Sequence, residues 1–376
     1  MSERWFVWKR FDTIRLVVRL AISLRDQSFA HAKSIGILNV SLGLCRALAV
    51  HPHVDELLIM SNSELGRCAG HDGRRISYLG LDSAPPRGRA RVLWDQWGVA
   101  RTLPAGRVDW LILPKGFPPL FARPASRLCC YVHDDIAWRA PDAVNSPRQL
   151  VERAYFGASY ARALCSADVI ATNSEATARS VRGLVRGTRP VACVGVGFDK
   201  QPSNPGPPAQ YIVVLTSAHP HKRTPRLIDW LVRWINASAI RVPVIGIGSL
   251  PKGTTWPTHP LLVHHSRLDE GAYQDVVARA AVLVYFSAYE GYGMPPREAL
   301  ARKRWTVASD LPALREGIPE ELLFRNDSYA EFSRRLDNAL ASSLAGLEPP
   351  ATRLKSWQDV ADSLLEALAR STCVPR

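Results

Sequence analysis

The sequence predicts an α/β protein made of two doubly wound parallel-sheet domains that face each other across a cleft. Three observations predict it. Short apolar runs rich in β-branched residues alternate with stretches of helical periodicity along most of the 376 residues, the pattern of parallel strands covered by helices. The stretch Lys200-Gln-Pro-Ser-Asn-Pro-Gly-Pro-Pro-Ala209 is too rich in proline and glycine for either element, and it divides the alternation into two series of similar size. The length is enough for two domains with full cores, since a domain takes roughly 100–200 residues. Ligands of such sheets bind beyond the carboxyl ends of the strands, so two facing domains place the binding site between them.

The elements follow in order. Residues 14–24, Ile-Arg-Leu-Val-Val-Arg-Leu-Ala-Ile-Ser-Leu, read as a first strand, followed by a loop containing Gly36 and a helix over residues 39–50. Further strands are expected at residues 56–60, 109–113, 128–132, 169–172 and 190–196. This gives a first domain over 1–199, a linker over 200–210, a second domain over 211–355 and a terminal segment over 356–376. The second series has strands at residues 211–216, 242–248, 281–287 and 305–310, and the tail from Trp357 has the apolar spacing of an amphipathic helix.

Composition narrows the class. Hydrophobic residues make up 47% and charged residues 22%, a globular balance. No apolar run reaches the roughly 18 residues that would cross a bilayer, and the start has no signal-peptide core, so a cytoplasmic protein is expected. Cys45, Cys68, Cys129, Cys130, Cys165, Cys193 and Cys373 are scattered and lack zinc-site pairs, which points to buried reduced thiols and no metal. A formal charge of +14 calls for a polyanion: nucleic acid, anionic lipid or phosphorylated substrate. There is no zinc-finger spacing and no aromatic RNA-binding signature, so nucleic acid is set aside. The aromatic and basic opening from Arg4 to Phe11 suits a lipid headgroup interface or packing on its own domain.

The most informative segment is the turn between Glu290 and Glu298, Gly291-Tyr292-Gly293-Met294-Pro295-Pro296-Arg297. It follows a β-forming apolar run and leads into a helix. Glycines let a backbone approach a ligand, proline presets φ at a helix start, and the unpaired N–H groups of a helix N-terminus attract phosphate. The amides of Gly291, Tyr292, Gly293, Met294 and Arg297 are the available donors. A carboxylate on either side suits the vicinal hydroxyls of a sugar or ribose.

The string from Tyr289 to Ala301 resembles the Glu-x7-Glu signature of the family 4 retaining glycosyltransferases, which have the GT-B fold of two facing Rossmann-like domains. The resemblance implies that the first domain binds the acceptor, that the second binds a nucleotide sugar, and that the terminal helix returns to the first. His219-Pro220-His221-Lys222-Arg223 resembles the family's Arg-Lys pair that neutralises the departing diphosphate. Lys222 matches the lysine, and His221 stands where arginine is usual. An imidazole lacks arginine's fork of donors and is only partly charged near neutral pH, which shifts the load to Lys222, with Arg223 either assisting or, like Arg226, simply solvated. Tyr131-Val132-His133-Asp134-Asp135 resembles the family's His-Asp motif, in which His133 meets the donor sugar or helps position the acceptor; the alternative is a structural histidine. Ser174 and Glu175 read equally as a helix start or a ligand contact. Gly36 matches the family's glycine loop near the phosphate and acceptor. The family's usual glycine and proline are replaced by Lys303 and Trp305, so that helix end is expected to be capped differently.

On this resemblance Glu290, Lys222 and His133 form the catalytic set. His221, Arg223, Gly291, Tyr292, Gly293, Met294 and Glu298 hold the donor, Glu290 orients its sugar, and Glu298 holds the ribose. In the family's front-face mechanism the leaving diphosphate helps deprotonate the acceptor. The resemblance implies no metal or other cofactor. The expected donor is GDP-mannose, with UDP- and dTDP-sugars as alternatives, and the expected acceptor is a glycan or lipid-linked glycan at an anionic membrane surface in bacterial polysaccharide or lipopolysaccharide assembly. A non-catalytic nucleotide-sugar-binding protein, or a hydrolase or phosphorylase, would use the same cleft.

Overall fold

Leu20, Ala21 and Ile22, and likewise Ile212, Val213 and Val214, are wholly enclosed, as strands covered on both faces must be. They lie at the centres of two parallel sheets in a computed structural model that describes residues 18–29, 35–70, 75–103, 106–122, 124, 126–135, 147–185, 189–199, 208, 210–352 and 354–372. The segment from Arg4 to Phe11, most of the 200–210 linker and Cys373 lie outside the described residues.

The first sheet contains β1 (Val18–Ser23), β2 (Val54–Met60), β3 (Ile76–Leu79), β4 (Trp110–Leu113), β5 (Arg127–Val132), β6 (Val169–Thr172) and β7 (Val191–Cys193), ordered β3-β2-β1-β4-β5-β6-β7. A two-residue strand, β8 (Gly197–Phe198), leaves it. The second sheet contains β9 (Ile212–Thr216), β10 (Val244–Gly248), β11 (Leu262–His265), β12 (Val282–Tyr285), β13 (Trp305–Ser309) and β14 (Leu323–Phe324), ordered β11-β10-β9-β12-β13-β14. Each sheet reverses its direction of growth once, between β1 and β4 and between β9 and β12. Such switch points open crevices at the carboxyl edge.

The helix Ile35–Ala49 and the terminal helix Trp357–Thr372 pack on one face of the first sheet; Val99, Leu103, Tyr160 and Leu164 cover the other. On the second sheet the helices Thr224–Ala237 and Tyr329–Leu344 share one face, while Val277 and Ala299 belong to helices on the opposite face. The chain returns to its first half where β15 (Lys355–Ser356) pairs with β8. There Trp357 wedges against Gly43 and Gly197; a Cβ at either position would lie 2.1 or 2.5 Å from the indole. Farther along the tail, His51 Nε2 meets Asp362 at 2.7 Å.

Three expectations are corrected. Gly36 is not in a loop, because the helix begins at Ile35, four residues before the apolar spacing becomes regular. The end of the helix Met294–Ala301 is not capped differently: Lys303 adopts φ 57°, the left-handed conformation glycine would take, and the amides of Lys303 and Arg304 bond back to Leu300 and Ala299. Cys165 is exposed rather than buried, because its position on the helix Pro147–Ser166 faces away from the sheet.

Candidate functional site

The site is built at the carboxyl ends of β9 and β12. After Thr216 the chain turns through Pro220–Lys222, and Thr224 closes the loop by accepting from Ser217 N (3.0 Å) and donating to Ser217 O (2.7 Å). The loop after β12 clasps it: Ala288 N donates to His221 O at 2.6 Å, and Ser287 Oγ donates to the same carbonyl at 3.3 Å. Two strands neighbouring in the sheet thus carry two loops tied main chain to main chain, and each loop presents one charged residue to the other.

Those residues are Lys222 and Glu290. Lys222 Nζ donates to Glu290 Oε1 and to Tyr285 Oη, both at 2.5 Å, and lies 4.4 Å above the Tyr285 ring centre. The lysine side chain is 20% exposed and the glutamate's 11%, so the pair is largely shielded yet reachable from the cleft. Burial raises the Tyr285 phenol well above its usual range, and the Glu290 and Glu298 carboxylates add to that. Tyr285 therefore stays a neutral hydroxyl between a cation and two anions. Glu298, one turn into the helix Met294–Ala301, completes the group. Sequence reasoning placed Tyr285 only as a strand residue; as the last residue of β12, beside a glycine turn, it occupied a position where a side chain reaches the crevice.

His221 is held near pKa 4 by burial, with the Lys222 charge adding to the effect. Its ring, 5.6 Å from that of His219, is neutral at neutral pH, leaving Lys222 as the cation of this loop. Arg223 is not gathered with the others. Its φ of 49° starts the next helix, and its side chain lines a separate cavity with Arg226 and Arg325.

The glycine turn is a point of contact with the first domain. Gly293 has φ 77° as N-cap of Met294–Ala301, and a Cβ there would lie 2.2 Å from Leu314. At Gly291 a Cβ would lie 1.9 Å from His133 O, and Thr177 Oγ1 donates to Gly291 O at 3.2 Å. Tyr292 sends its ring into the first domain's core, 6.2 Å from Phe198. The buried Arg297 stacks on it at 4.2 Å and donates to Ala313 O at 2.6 Å. Met294 reaches Gly36, where a Cβ would lie 3.0 Å from its terminal methyl.

His133 faces this turn from the first domain. Its Nε2 is 2.6 Å from Pro114 O, so that nitrogen carries the proton and Nδ1 is left as an acceptor. Burial holds the ring's pKa at about 4, and the ring stacks on Tyr131 at 4.6 Å. Its free nitrogen can accept from a hydroxyl but not donate to one. Asp135 accepts from Ser180 Oγ, and Ser174 caps the helix Glu175–Arg182 by accepting from Thr177 N at 3.0 Å. These acts are structural.

No protein-family model matches the chain, and no curated protein sequence matches it. Solved structures do. Anabaena HepE in complex with UDP and glucose superposes with a TM-score of 0.58 at 15% identity, covering 94% of this chain and 100% of that one. The E. coli trehalose-6-phosphate structure bound with UDP-2-fluoro glucose gives 0.55 at 12%, covering 95% and 99%. TarM gives 0.53 at 13% over 76% of this chain; the chain spans 58% of TarM's length. Together with the two sheet orders, these superpositions decide the architecture.

The fold is GT-B. A further GT-B contact that no sequence motif signals joins the two halves beside the glycine turn. The Glu316 carboxylate accepts from Glu175 N at 2.9 Å and from Ala176 N at 2.5 Å, so an acidic side chain of the second domain seats on a helix N-terminus of the first. Partners 141 residues apart leave no local trace. Among the described residues, no three of His, Cys, Asp and Glu converge in a way that could hold a metal ion, and no helix is long and apolar enough to cross a membrane.

Proposed function

We propose that the chain transfers a sugar from a nucleotide-sugar donor to a glycan or lipid-linked acceptor, with retention of anomeric configuration. One observation carries the reading: Lys222, Glu290 and Tyr285 converge within hydrogen-bonding distance at the β9/β12 switch point, ahead of the helix Met294–Ala301. When a diphosphate enters, Lys222 exchanges its contact with Glu290 for phosphate oxygens, and the helix N-terminus supplies further positive potential. Glu290, released, accepts from hydroxyls of the donor sugar, and Glu298 accepts from the ribose diol. His133, through Nδ1, accepts from a sugar or acceptor hydroxyl. The leaving diphosphate takes the acceptor's proton, so no side-chain nucleophile is needed. Gly36 and Met294 close the phosphate end of the cleft.

GDP-mannose is the donor favoured by the resemblance of His133-Asp134; the UDP ligands of HepE and of the E. coli structure favour a UDP-hexose as the second reading. A thermal-shift panel of UDP, GDP, dTDP and their sugars separates them, because a ligand of the native state raises the melting temperature. The expected result is stabilisation by one nucleotide family, with release of that nucleotide on adding acceptor. Binding without release would reduce the protein to a nucleotide-sugar binder. Release without acceptor would make it a hydrolase.

For the acceptor, the first domain offers Leu93, Trp97, Phe121 and Val151 as exposed apolar side chains, with Trp97 and Phe121 stacked at 6.0 Å and exposed Arg89 and Arg101 on the same short helical stretch. Apolar and cationic side chains together suit a membrane surface carrying a lipid-linked glycan.

A further inference from the structure

A cavity of about 450 Å³ lies outside the Lys222–Glu290 cluster, lined by Arg223, Arg226, Ala288, Asp310, Arg325, Asn326 and Asp327. None of the residues proposed to orient the donor sugar or hold the ribose contributes to it. Its floor is formed by the carboxyl ends of β13 and β14, on the sheet face covered by the helices Thr224–Ala237 and Tyr329–Leu344. From the geometry we propose that this cavity is a second binding site, and that its ligand is a phosphate ester on a hydroxylated body, such as a sugar phosphate.

The charges of the lining do not simply cancel. Asp310 is clasped by Arg315 through two contacts of 2.5 and 2.6 Å, and Arg325 is paired with Glu331 at 2.9 Å. That leaves Arg223, which makes no ion pair among the described residues, and Arg226, which spends one N–H on Asn326 O at 3.1 Å, against the single charge of Asp327. The uncompensated balance is cationic. Two guanidinium groups at the start of a fourteen-residue helix with no side-chain cap add to the positive end of that helix, an arrangement that favours phosphate over carboxylic or neutral ligands.

The wall also contains acceptors. Asn326 is fixed in the wall by donating Nδ2 to Ser287 O at 2.8 Å and by accepting from Arg226 on its main-chain carbonyl at 3.1 Å. Asp327 is an exposed carboxylate. Acceptors beside cations fit a ligand that has hydroxyls next to its phosphate, and they oppose an inorganic anion alone. Ligand pockets commonly measure about 300–1,000 Å³, so the volume admits a monosaccharide phosphate. Because Arg223 follows Lys222 directly and Ala288 N holds the His221 carbonyl, a ligand here would touch the outer side of the same two loops that carry Lys222 and Glu290.

Calorimetry with glucose 1-phosphate, using glucose and inorganic phosphate as controls, tests the site on the full chain with and without saturating UDP and GDP. The expected result is binding of glucose 1-phosphate that survives the nucleotides, exceeds that of both controls, and falls by about tenfold or more in Arg226→Gln, in keeping with the loss of a charge-assisted contact. Arg325→Gln is the second variant, and melting temperatures confirm that both are folded. Inhibition of transfer that glycan acceptor relieves would trace the phosphate to the acceptor's own chain; a change in rate that acceptor does not relieve would trace it to a soluble ligand. Displacement by nucleotide, equal binding of glucose, or unchanged affinity in the two folded variants would overturn the proposal. The calorimetry and the melting temperatures, which decide the proposal, do not depend on sugar transfer having been established.

Discussion

Both switch points carry a lysine paired with a carboxylate and a tyrosine beside them, in mirrored order. In the first sheet the acid, Asp26, follows β1 and the lysine, Lys115, follows β4, at 2.5 Å. In the second the lysine follows β9 and the acid follows β12, also at 2.5 Å. The difference lies in what surrounds them. Lys115 and Asp26 are 11% and 8% exposed, Arg91 adds a second cation to Asp26 at 3.3 Å, and Asp95 is hydrogen-bonded by Tyr155; the crevice left there is about 20 Å³, room for roughly one water. Among the described residues the second pair has no further ion partner, and it is somewhat more exposed, at 20% and 11%. One topology thus builds a more deeply buried pair and a more exposed one, and under the proposed function it is the more exposed pair that gives up its internal contact for a ligand.

Breaking each pair separates the two roles. Lys222→Ala or Glu290→Gln should lower donor turnover by roughly 10²–10³-fold, as loss of a charge-stabilising group does, with a melting temperature close to that of the parent. Lys115→Met should do the opposite. Removing one partner of a buried ion pair costs on the order of 3 kcal/mol, so denaturant unfolding should shift strongly while the folded fraction still consumes donor. Normal turnover in both second-site variants, or an unshifted unfolding curve for Lys115→Met, would erase the distinction.

This contrast explains what could be read from the sequence. The turn from Glu290 to Glu298 packs two glycines, two prolines and a helix start into nine residues shortly after β12, so its geometry is written locally. Asp26 and Lys115 are 89 residues apart and sit in no pattern; only the fold makes them neighbours. Tyr285 was visible as a strand residue, but its bond to Lys222 spans 63 residues. The same logic governs the strands. Central ones such as β1, β4, β9 and β12 are buried on both faces and read as apolar runs, whereas β3, β11 and β14 are edges. The Ile-Ser-Tyr-Leu run of β3 is only half-buried and Leu-Val-His-His of β11 mixes buried with exposed residues. The third, β14, is two residues long, too short for any period to register.

The two switch points should also respond to acid in opposite directions. Burial first, and then Asp26, raises Asp95 from 3.8 to about 7. Folded protein therefore keeps a proton that unfolded chain has released, and this group's contribution to stability is lost as pH rises from about 4 to 7. At the second switch point His221 falls from 6.5 to about 4. The unfolded chain binds the proton first, so that contribution is present above 6.5 and lost as pH falls through the window toward 4. Thermal midpoints between pH 4 and 8 should show Asp95→Asn gaining on the parent toward alkaline pH and His221→Gln gaining toward acid. Differences that stay constant with pH in both variants would mean that neither group titrates as its burial requires.

The smallest and most direct comparison removes one oxygen from each site. Tyr285 accepts a hydrogen bond from the Lys222 ammonium at 2.5 Å; Tyr155 donates to Asp95 at 3.2 Å and accepts from Gln96 at 3.2 Å. Both hydroxyls touch a charged group's network, so each deletion should cost on the order of 1 kcal/mol. The location of that cost is what differs. In Tyr285→Phe the lysine loses an anchor that fixes it in the crevice, so donor turnover should fall about tenfold, the equivalent of ~1.4 kcal/mol, with little change in unfolding. In Tyr155→Phe the carboxyl of Asp95 loses a neutral donor inside a closed network, so unfolding should shift by roughly 1 kcal/mol and turnover should hold. If both variants changed stability alone, the second crevice would be as locked as the first, and Lys222 could not be the group that receives the diphosphate.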